Sequence, residues 1–211
     1  MIERADGREF TYRLGEIEVF EDLYPRIADL DGDGQSEVVT IRSSLVGGAS
    51  IAVFGLNGDT LVLKAATPFL GKPFRWLNIA GIARFTGAKT PEIAYVVTPH
   101  IGGKLVLARY ARGRIETTTP LSGFSNHVIG STELRLSAVA DFDGDGLPDL
   151  ALPSTDRKKL LLMRFANGRI DTYASASLPS PIDKAIAVTG EGSTAKLTVG
   201  TENGEVYTVS K

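Results

Sequence analysis

An aspartate-rich segment occurs twice in the chain, and the two copies agree in frame and in residue type. Residues 28–38 read Ala-Asp-Leu-Asp-Gly-Asp-Gly-Gln-Ser-Glu-Val, and residues 140–150 read Ala-Asp-Phe-Asp-Gly-Asp-Gly-Leu-Pro-Asp-Leu. A third copy at 83–94 keeps the frame but loses most acids, and a fourth at 187–197 is worn further. The copies begin at residues 29, 84, 141 and 188, so the steps are 55, 57 and 47 residues. Self-similarity at such a period indicates a repeat architecture.

A second marker repeats in phase with the first. Asn57-Gly58, Arg112-Gly113 and Asn167-Gly168 each join two strand-like runs, and their glycines follow the loop starts by 29, 29 and 27 residues. Such dipeptides indicate tight hairpins, because both central residues of a type I′ turn need positive φ. Each repeat therefore predicts four short strands, which in the third copy lie near residues 136–140, 150–153, 159–165 and 169–173.

The last repeat ends before its own hairpin, whereas the N-terminus holds an orphan copy, Asp6-Gly7, followed by a strand-like run. If the numbering is continued from the C-terminus to the N-terminus, Gly7 lies 30 residues after the start of the fourth loop. The spacing predicts a closed all-β ring in a single domain spanning 1–211, a β-propeller of four four-stranded blades. The N-terminal strand near residues 9–13 would pair with the C-terminal strand near 206–209 and cover its open edge. The alternative is a β-sandwich with two accidental acidic turns.

The two intact loops place oxygen ligands at alternate positions, as a hard cation such as calcium requires. Side chains at the first, third, fifth and ninth positions and the carbonyl at the seventh can converge, and the intervening glycines permit the tight winding. Two bound calcium ions are predicted, with ligands Asp29, Asp31, Asp33, Gln35, Glu37 and Asp141, Asp143, Asp145, Leu147, Asp149. An EF-hand is excluded, since its twelfth positions would be Thr40 and Leu152 and the flanks are strand-like. A pair of solvated acidic turns without metal is the remaining alternative.

These strand-flanked loops, repeated near every 55 residues, resemble the FG-GAP/VCBS repeat family, whose propellers include the head of integrin α-subunits. The resemblance extends over all four repeats, although only two keep the full metal pattern. It implies blades with calcium held between the first and second strands, by the ligands named above. Integrin-type propellers have seven blades, so a count of four departs from that pattern.

The loops of the second and fourth repeats, which lack most of the acids, are expected to differ. The second repeat has Arg84 at the first ligand position and Glu92 at the ninth, which suggests that the guanidinium pairs with the carboxylate in place of a metal. The fourth repeat, with Val188, Gly190 and Lys196 at ligand positions, gives no reason to expect binding.

Binding of a partner is expected on the face opposite the metal loops, where the other turns and the blade connections gather. The candidate residues there are Glu21, Asp22, Arg75, Trp76, Asn78, His100, Asn126, His127 and Glu133. Each has a structural alternative: Trp76 as packing between blades, the histidines as caps of backbone groups, and Arg75 as the partner of Glu21 or Asp22 in an ion pair.

The functional expectation is a non-catalytic module that recognises a protein or glycan. One alternative is a glycan hydrolase or lyase on the same scaffold, although no nucleophile–base pair or spaced carboxylate pair is evident. The other is a purely structural module of a larger surface protein. Eight of the 25 acids lie in the two loops, and no dense Lys/Arg run suggests a nucleic-acid partner.

Compartment is weakly constrained by the sequence. The chain has no cysteine, its apolar runs are too short to span a bilayer, and its first residues do not begin a signal peptide. Together with the calcium loops, these features favour a bacterial monomer in the periplasm or outside the cell, from which any export signal has been removed.

Overall fold

A computed structural model of the chain describes residues 1–166 and 168–210, with the side chain of Ser193 left aside. These residues form two compact units. The first comprises residues 1–76 with 110–116, and the second comprises 77–109 with 117–211. The predicted turn residue Asn167 lies outside the described residues.

The first unit begins with a short antiparallel hairpin and continues into the first repeat sheet. That sheet has the order β3-β5-β6-β7, with β4 also paired to β5. The strands are β1 (Ile2–Glu3), β2 (Glu9–Phe10), β3 (Glu18–Phe20), β4 (Arg26–Ala28), β5 (Glu37–Ser44), β6 (Gly48–Asn57) and β7 (Thr60–Ala66).

The remaining repeats form three antiparallel sheets. The second sheet contains β8 (Leu77–Ala83), β9 (Glu92–Val97), β10 (Lys104–Ala111), β11 (Arg114–Thr117) and the short β12 (Leu121–Ser122). The third contains β13 (Ala138–Ala140), β14 (Asp149–Pro153), β15 (Lys159–Ala166) and β16 (Arg169–Ser177). The fourth contains β17 (Ala187–Thr189), a 3₁₀ turn (Gly192–Thr194), β18 (Lys196–Gly200) and β19 (Val206–Ser210).

The strand plan predicted for the third repeat is confirmed, whereas the sheets of the first and second repeats each contain five strands instead of the predicted four. The four predicted strands of the third repeat are β13 to β16, in the simple order of the chain. Among the described residues, the fourth sheet has the order β17-β18-β19 and shows no fourth strand, unlike the other repeat sheets. In each sheet the acidic-loop position joins the first and second strands, so the turns between the second and third strands emerge at the opposite end.

The two predicted hairpin turns that lie wholly within the described residues form, with one difference. Arg112 and Gly113 have φ of 52° and 73°, the pair of positive values that a type I′ turn needs. In the first repeat, however, Asn57 is the last residue of β6 and pairs with Thr60. The first central residue of that turn is therefore Gly58, at φ 59°, rather than Asn57.

The terminal strands have local partners. In the first unit, β2 pairs with β1, which joins Glu9 to Glu3. In the second unit, β19 pairs with β18 and is the outermost strand of its sheet. Closure of a ring through the two terminal strands thus stays a prediction.

An apolar side chain at the second loop position ties each loop to a core. Leu30, Phe85 and Phe142 are exposed by 0%, 1% and 4%, although they lie between polar or glycine-rich neighbours. Phe85 packs on Phe165 with ring centroids 4.7 Å apart, inside a cluster of buried residues from the second and third sheets. Burial of this one side chain anchors the loop whether or not its acids are present.

Candidate metal loops and the opposite face

The first acidic loop is wound tightly by its own carboxylates. Asp29 accepts the amide hydrogens of Gly32 and Gly34 at 2.7 and 3.0 Å, one on each oxygen. Asp33 accepts the amide of Gln35 at 2.7 Å. The two glycines have φ of 79° and 85°, the left-handed region that glycine adopts without strain. The winding turns the alternate, acidic side chains of Asp29, Asp31 and Asp33 toward one another.

The second loop repeats this pattern bond for bond. Asp141 accepts the amides of Gly144 and Gly146 at 2.6 and 2.9 Å, and Asp145 accepts the amide of Leu147 at 2.8 Å. Two loops that share only their spacing of acids and glycines therefore reach the same backbone conformation.

Carboxylate oxygens converge in both loops. One oxygen from each of Asp29, Asp31 and Asp33 lies within 4.8 Å of the others, and a second such group is formed by Asp141, Asp143 and Asp149. Oxygen donors at this spacing suit a hard cation with several oxygen ligands, and the residues therefore fit calcium. In the worn loops of the second and fourth repeats, no comparable group occurs among the described residues.

The acid at the ninth position is buried in all three loops that have one. Glu37, Glu92 and Asp149 are exposed by 0%, 2% and 2%. Each accepts a backbone amide from the start of its own loop, donated by Leu30 at 2.9 Å, Thr86 at 2.9 Å and Phe142 at 3.0 Å. This bond closes the loop between the first and second strands.

The buried acids of the intact loops are electrostatically strained. Burial raises the pKa of Glu37, and the carboxylate of Asp31 raises it further. Burial likewise raises the pKa of Asp149, with added repulsion from Asp143 and Asp145. A cation among these carboxylates would relieve both effects, because it stabilises their charged forms.

In the second repeat, the predicted ion pair forms with a different arginine. The guanidinium on Glu92 belongs to Arg109, with Nη2 3.2 Å from Oε1, whereas Arg84 is exposed. The hydroxyl of Thr86 also donates to Glu92, at 2.9–3.0 Å. The prediction of a cation on Glu92 was right in kind but named the wrong residue, because Arg109 reaches the acid from β10.

Two further residues at the loops were not predicted from the sequence. Lys64 lies on β7 with Nζ 3.4 Å from Glu37 Oε1, and the hydroxyl of Tyr173 on β16 donates to Asp149 Oδ2 at 2.8 Å. Both are the extra residue of a β-bulge, since the register shifts by one at each of them. A bulge re-aims one side chain, which explains how two unrelated residue types reach the same acid. The repeat phase was the available signal, but strand alternation does not reveal bulges.

On the opposite face of the first unit, the predicted residues are largely engaged in local bonds. The side chain of Asp22 is fully buried in an ion pair with Arg26, and Glu21 accepts the hydroxyl of Ser43. These acids therefore bond to Arg26 and Ser43, in place of the suggested ion pair with Arg75. Burial raises the pKa of Asp22 despite the neighbouring guanidinium. The carbonyl of Arg75 accepts the amide of Ala49 at 2.8 Å, and Trp76 is half-buried.

In the second unit, the two histidines are brought together. His100 Nε2 lies 2.7 Å from His127 Nδ1, and His127 Nε2 lies 2.9 Å from the carbonyl of Ser131. The carbonyl requires a proton on His127 Nε2, so a neutral His127 accepts the His100 hydrogen at Nδ1. Burial, followed by the charges of His127 and Arg157, lowers the pKa of His100 to about 4. Burial also lowers the pKa of His127.

Two predicted binding residues are instead internal. Asn78 and Asn126 are both 0% exposed, and the side-chain amide of each donates to the main-chain carbonyl of the other. Asn78 also donates to the carbonyl of Leu134 at 2.8 Å. They join segments of the second unit and do not face a ligand. Glu133 is held by Arg135 through bonds of 2.8 and 2.9 Å, which lower the pKa of this carboxyl.

Comparison with known proteins shows a similarity of fold and does not show a family or a function. No family model matches the chain, and no curated protein matches it. Among solved structures, it is similar to the crystal structure of BBS1N in complex with ARL6DN, with a TM-score of 0.52 and 18% identity. The match covers 88% of this chain and 53% of the BBS1N chain, so this chain spans about half the length of that neighbour.

The sheets and the neighbour, which is a β-propeller, define an all-β, propeller-like fold. Two of its repeats carry convergent acidic loops. Within the part of the chain that the structure describes, no helix is long and apolar enough to cross a membrane.

Proposed function

We propose that this chain is a calcium-stabilised, non-catalytic binding module of the FG-GAP/VCBS type. The observation that carries the proposal is the pair of loops with one hydrogen-bond pattern, each gathering three carboxylate oxygens within 4.8 Å. In a loop that served only as a turn, the repulsion between carboxylates at this spacing would be an uncompensated cost.

The calcium ligands in this proposal are those expected from the spacing, with carboxylates at four positions and a carbonyl at the seventh. When bound, calcium supplies a positive charge between the first and second strands of its blade. The protein supplies the tightly wound loop and the buried acid at the ninth position. An unfolded chain cannot gather these carboxylates, so binding stabilises the folded state.

The proposal includes a ring of four blades that the N-terminal segment completes. The fourth sheet has three strands, and its outermost strand is β19. In the first unit, Phe10 is 7% exposed in a cluster with Ala52, Phe54 and Leu61, and Tyr12 contacts Phe54 with centroids 4.7 Å apart. These contacts are with the first sheet and show that the N-terminal segment is packed, whereas its proposed place in the fourth blade rests on the spacing of the repeats.

Recognition of a protein or glycan is assigned to the face opposite the metal loops. In the second unit, Ile101 and Ile129 are exposed by 62% and 74%, close in sequence to the paired His100 and His127. Where exposed apolar side chains form a contiguous patch with a polar rim, they mark an interaction surface. Extracellular modules can use weak calcium sites, and we accordingly place the protein in the periplasm or outside the cell.

Calorimetric titration of metal-stripped protein with calcium tests the proposal. Two sites are expected, and chelator should lower the melting temperature. At free calcium about 100 times the dissociation constant, one site contributes about 2.7 kcal/mol. Asp141→Ala should abolish one site, whereas the control Ala88→Ser, in the loop of the second repeat, should leave both. No calcium binding, or no response of melting to chelator, would refute the metal assignment.

A further inference from the structure

The residue opposite the buried ninth-position acid differs in charge among the three loops. At Asp149 it is the neutral hydroxyl of Tyr173, at Glu37 the ammonium of Lys64, and at Glu92 the guanidinium of Arg109. Lys64 and Tyr173 occupy the same bulge position in the fourth strands of their sheets.

The individual oxygens of the ninth-position acids are used differently. Asp149 accepts both Phe142 N–H and the Tyr173 hydroxyl on Oδ2, so these two bonds leave Oδ1 available, and one oxygen of Asp149 belongs to the group with Asp141 and Asp143. Glu37 accepts Leu30 N–H on Oε2 and Lys64 on Oε1, so both of its oxygens are engaged.

The carboxylate groups differ in the same sense. The group in the second loop includes its ninth-position acid, whereas the group in the first loop consists of Asp29, Asp31 and Asp33 and leaves out Glu37. In the second repeat, where Arg109 is the opposing cation, the loop has lost its other acids. The three ninth-position acids therefore form a series. Asp149 has no opposing cation among the described residues, Glu37 faces an ammonium, and Glu92 faces a guanidinium in a loop without other acids.

We propose that Lys64 is an internal competitor for the first metal loop, which weakens calcium binding there relative to the second loop. This inference rests on the proposed function, since it concerns the affinity of the same sites. For Glu37 to ligate calcium through Oε1, the ammonium must leave that oxygen. Its charge also opposes the incoming cation at short range.

The position of Lys64 allows it to compete without blocking the site outright. Its side chain is 19% exposed, so the ammonium can swing toward water when calcium enters. The stem lies over Gly55 of the adjacent strand, where an added Cβ would come 2.6 Å from Lys64 Cε. The missing side chain at Gly55 thus leaves the space through which Lys64 reaches Glu37.

Exchange of the two bulge residues tests the inference. First-loop affinity is measured by calorimetry in an Asp141→Asn background, which disables the second loop, and second-loop affinity in an Asp29→Asn background. Lys64→Met and Lys64→Tyr should each tighten the first site about tenfold, since a charge opposing calcium at short range is removed. Lys64→Arg, which keeps the charge, should leave it weak. Tyr173→Lys should weaken the second site by a similar factor.

The outcomes separate this inference from the proposal on which it rests. If the first site binds one calcium ion in the Asp141→Asn background with equal affinity in Lys64→Met and Lys64→Arg, the competitor role is wrong while the metal assignment stands. If neither background binds calcium in any variant, the metal assignment fails and the inference fails with it. Melting temperatures without calcium show whether each variant is folded.

Discussion

Arg109 lies with its guanidinium 3.2 Å from the carboxylate of Glu92, in a repeat whose loop has lost its other acids. The carboxylate is 2% exposed, whereas the arginine side chain is 47% exposed. A buried acid without a nearby cation would carry an uncompensated charge, and in the second repeat the guanidinium of Arg109 supplies that cation.

Arg109→Met should therefore destabilise the protein with no effect on calcium stoichiometry. We expect a loss of about 1–2 kcal/mol in the free energy of unfolding, reduced from the value for fully buried pairs because Arg109 is partly exposed to solvent. Chemical denaturation in the presence and absence of calcium measures it.

Arg84→Met is the matched control for Arg109→Met, because it removes the exposed arginine of the same loop. Its effect should stay within about 0.5 kcal/mol. Equal losses in the two variants would contradict the assignment of Arg109 as the cation of this loop.

Asn78→Ala should strongly destabilise the second unit. The variant loses two buried hydrogen bonds, to the carbonyls of Asn126 and Leu134, and leaves those carbonyls without this donor. A loss of about 2–4 kcal/mol is expected from two such bonds. Asn57→Ala, at the exposed end of β6, is the control and should change little. A loss below 1 kcal/mol for Asn78→Ala, measured by urea unfolding, would count against the buried role.

The histidine pair should make stability depend on pH between about 6.5 and 4. The pKa of His100 is lowered to about 4 in the folded state, from 6.5. Within that window the unfolded chain binds more protons than the folded one. The contribution of His100 to the free energy of unfolding is therefore complete above pH 6.5 and is lost as the pH falls through 4.

Melting temperature measured from pH 7 to pH 4 tests the role of the histidine pair. The acidic loops also titrate at low pH, so the informative quantity is the difference between wild type and His100→Gln. We expect a shallower acid-side decline in the variant, because glutamine cannot take up the proton. Parallel curves would show that the pair does not contribute.

Ring closure predicts that the N-terminal strand and β19 can be joined covalently. Because the chain has no cysteine, Thr11→Cys with Thr208→Cys gives a single possible disulfide. Two cysteines on adjacent strands lie within the reach of such a bond. Oxidation should yield an intramolecular cross-link and raise the melting temperature.

Thr11→Cys with Thr172→Cys is the matched control for closure, since Thr172 lies on the fourth strand of the third sheet. It should not form an intramolecular cross-link. Disulfide-linked dimers from the Thr208 pair, without the intramolecular product, would show that the terminal strand pairs between chains and that the four-blade ring is wrong.

The repeats in the sequence allowed the strand plan to be predicted well. The phase of the loops and hairpins predicts the strands of the third repeat and the missing strand of the fourth, because alternation and turn chemistry are local properties. Three of the four predicted carboxylates gather in each loop, since the spacing of acids and glycines determines the winding, whereas Glu37 and Asp145 lie outside these two groups.

The partners of the ninth-position acids were beyond sequence reasoning. Lys64 and Tyr173 act through bulges, and Arg109 acts from a neighbouring strand, so each depends on register. The binding face was the least predictable part. Asn78, Asn126 and Asp22 are polar and lie in loops or at strand ends, but they satisfy main-chain groups or an ion pair inside the protein.

The apolar anchor at the second loop position has an evolutionary consequence. Phe85 in the loop of the second repeat and Phe142 in the loop of the third repeat are both buried, although only the latter loop keeps its acids. A repeat can therefore lose or regain metal ligands by surface substitutions while its backbone stays in place. Installing aspartates at Arg84, Thr86 and Ala88, with Arg109→Met, would convert an ion-paired blade into a metal-dependent one. Under the proposed calcium binding, the same loop backbone would accommodate either a protein cation or a metal ion beside its buried acid.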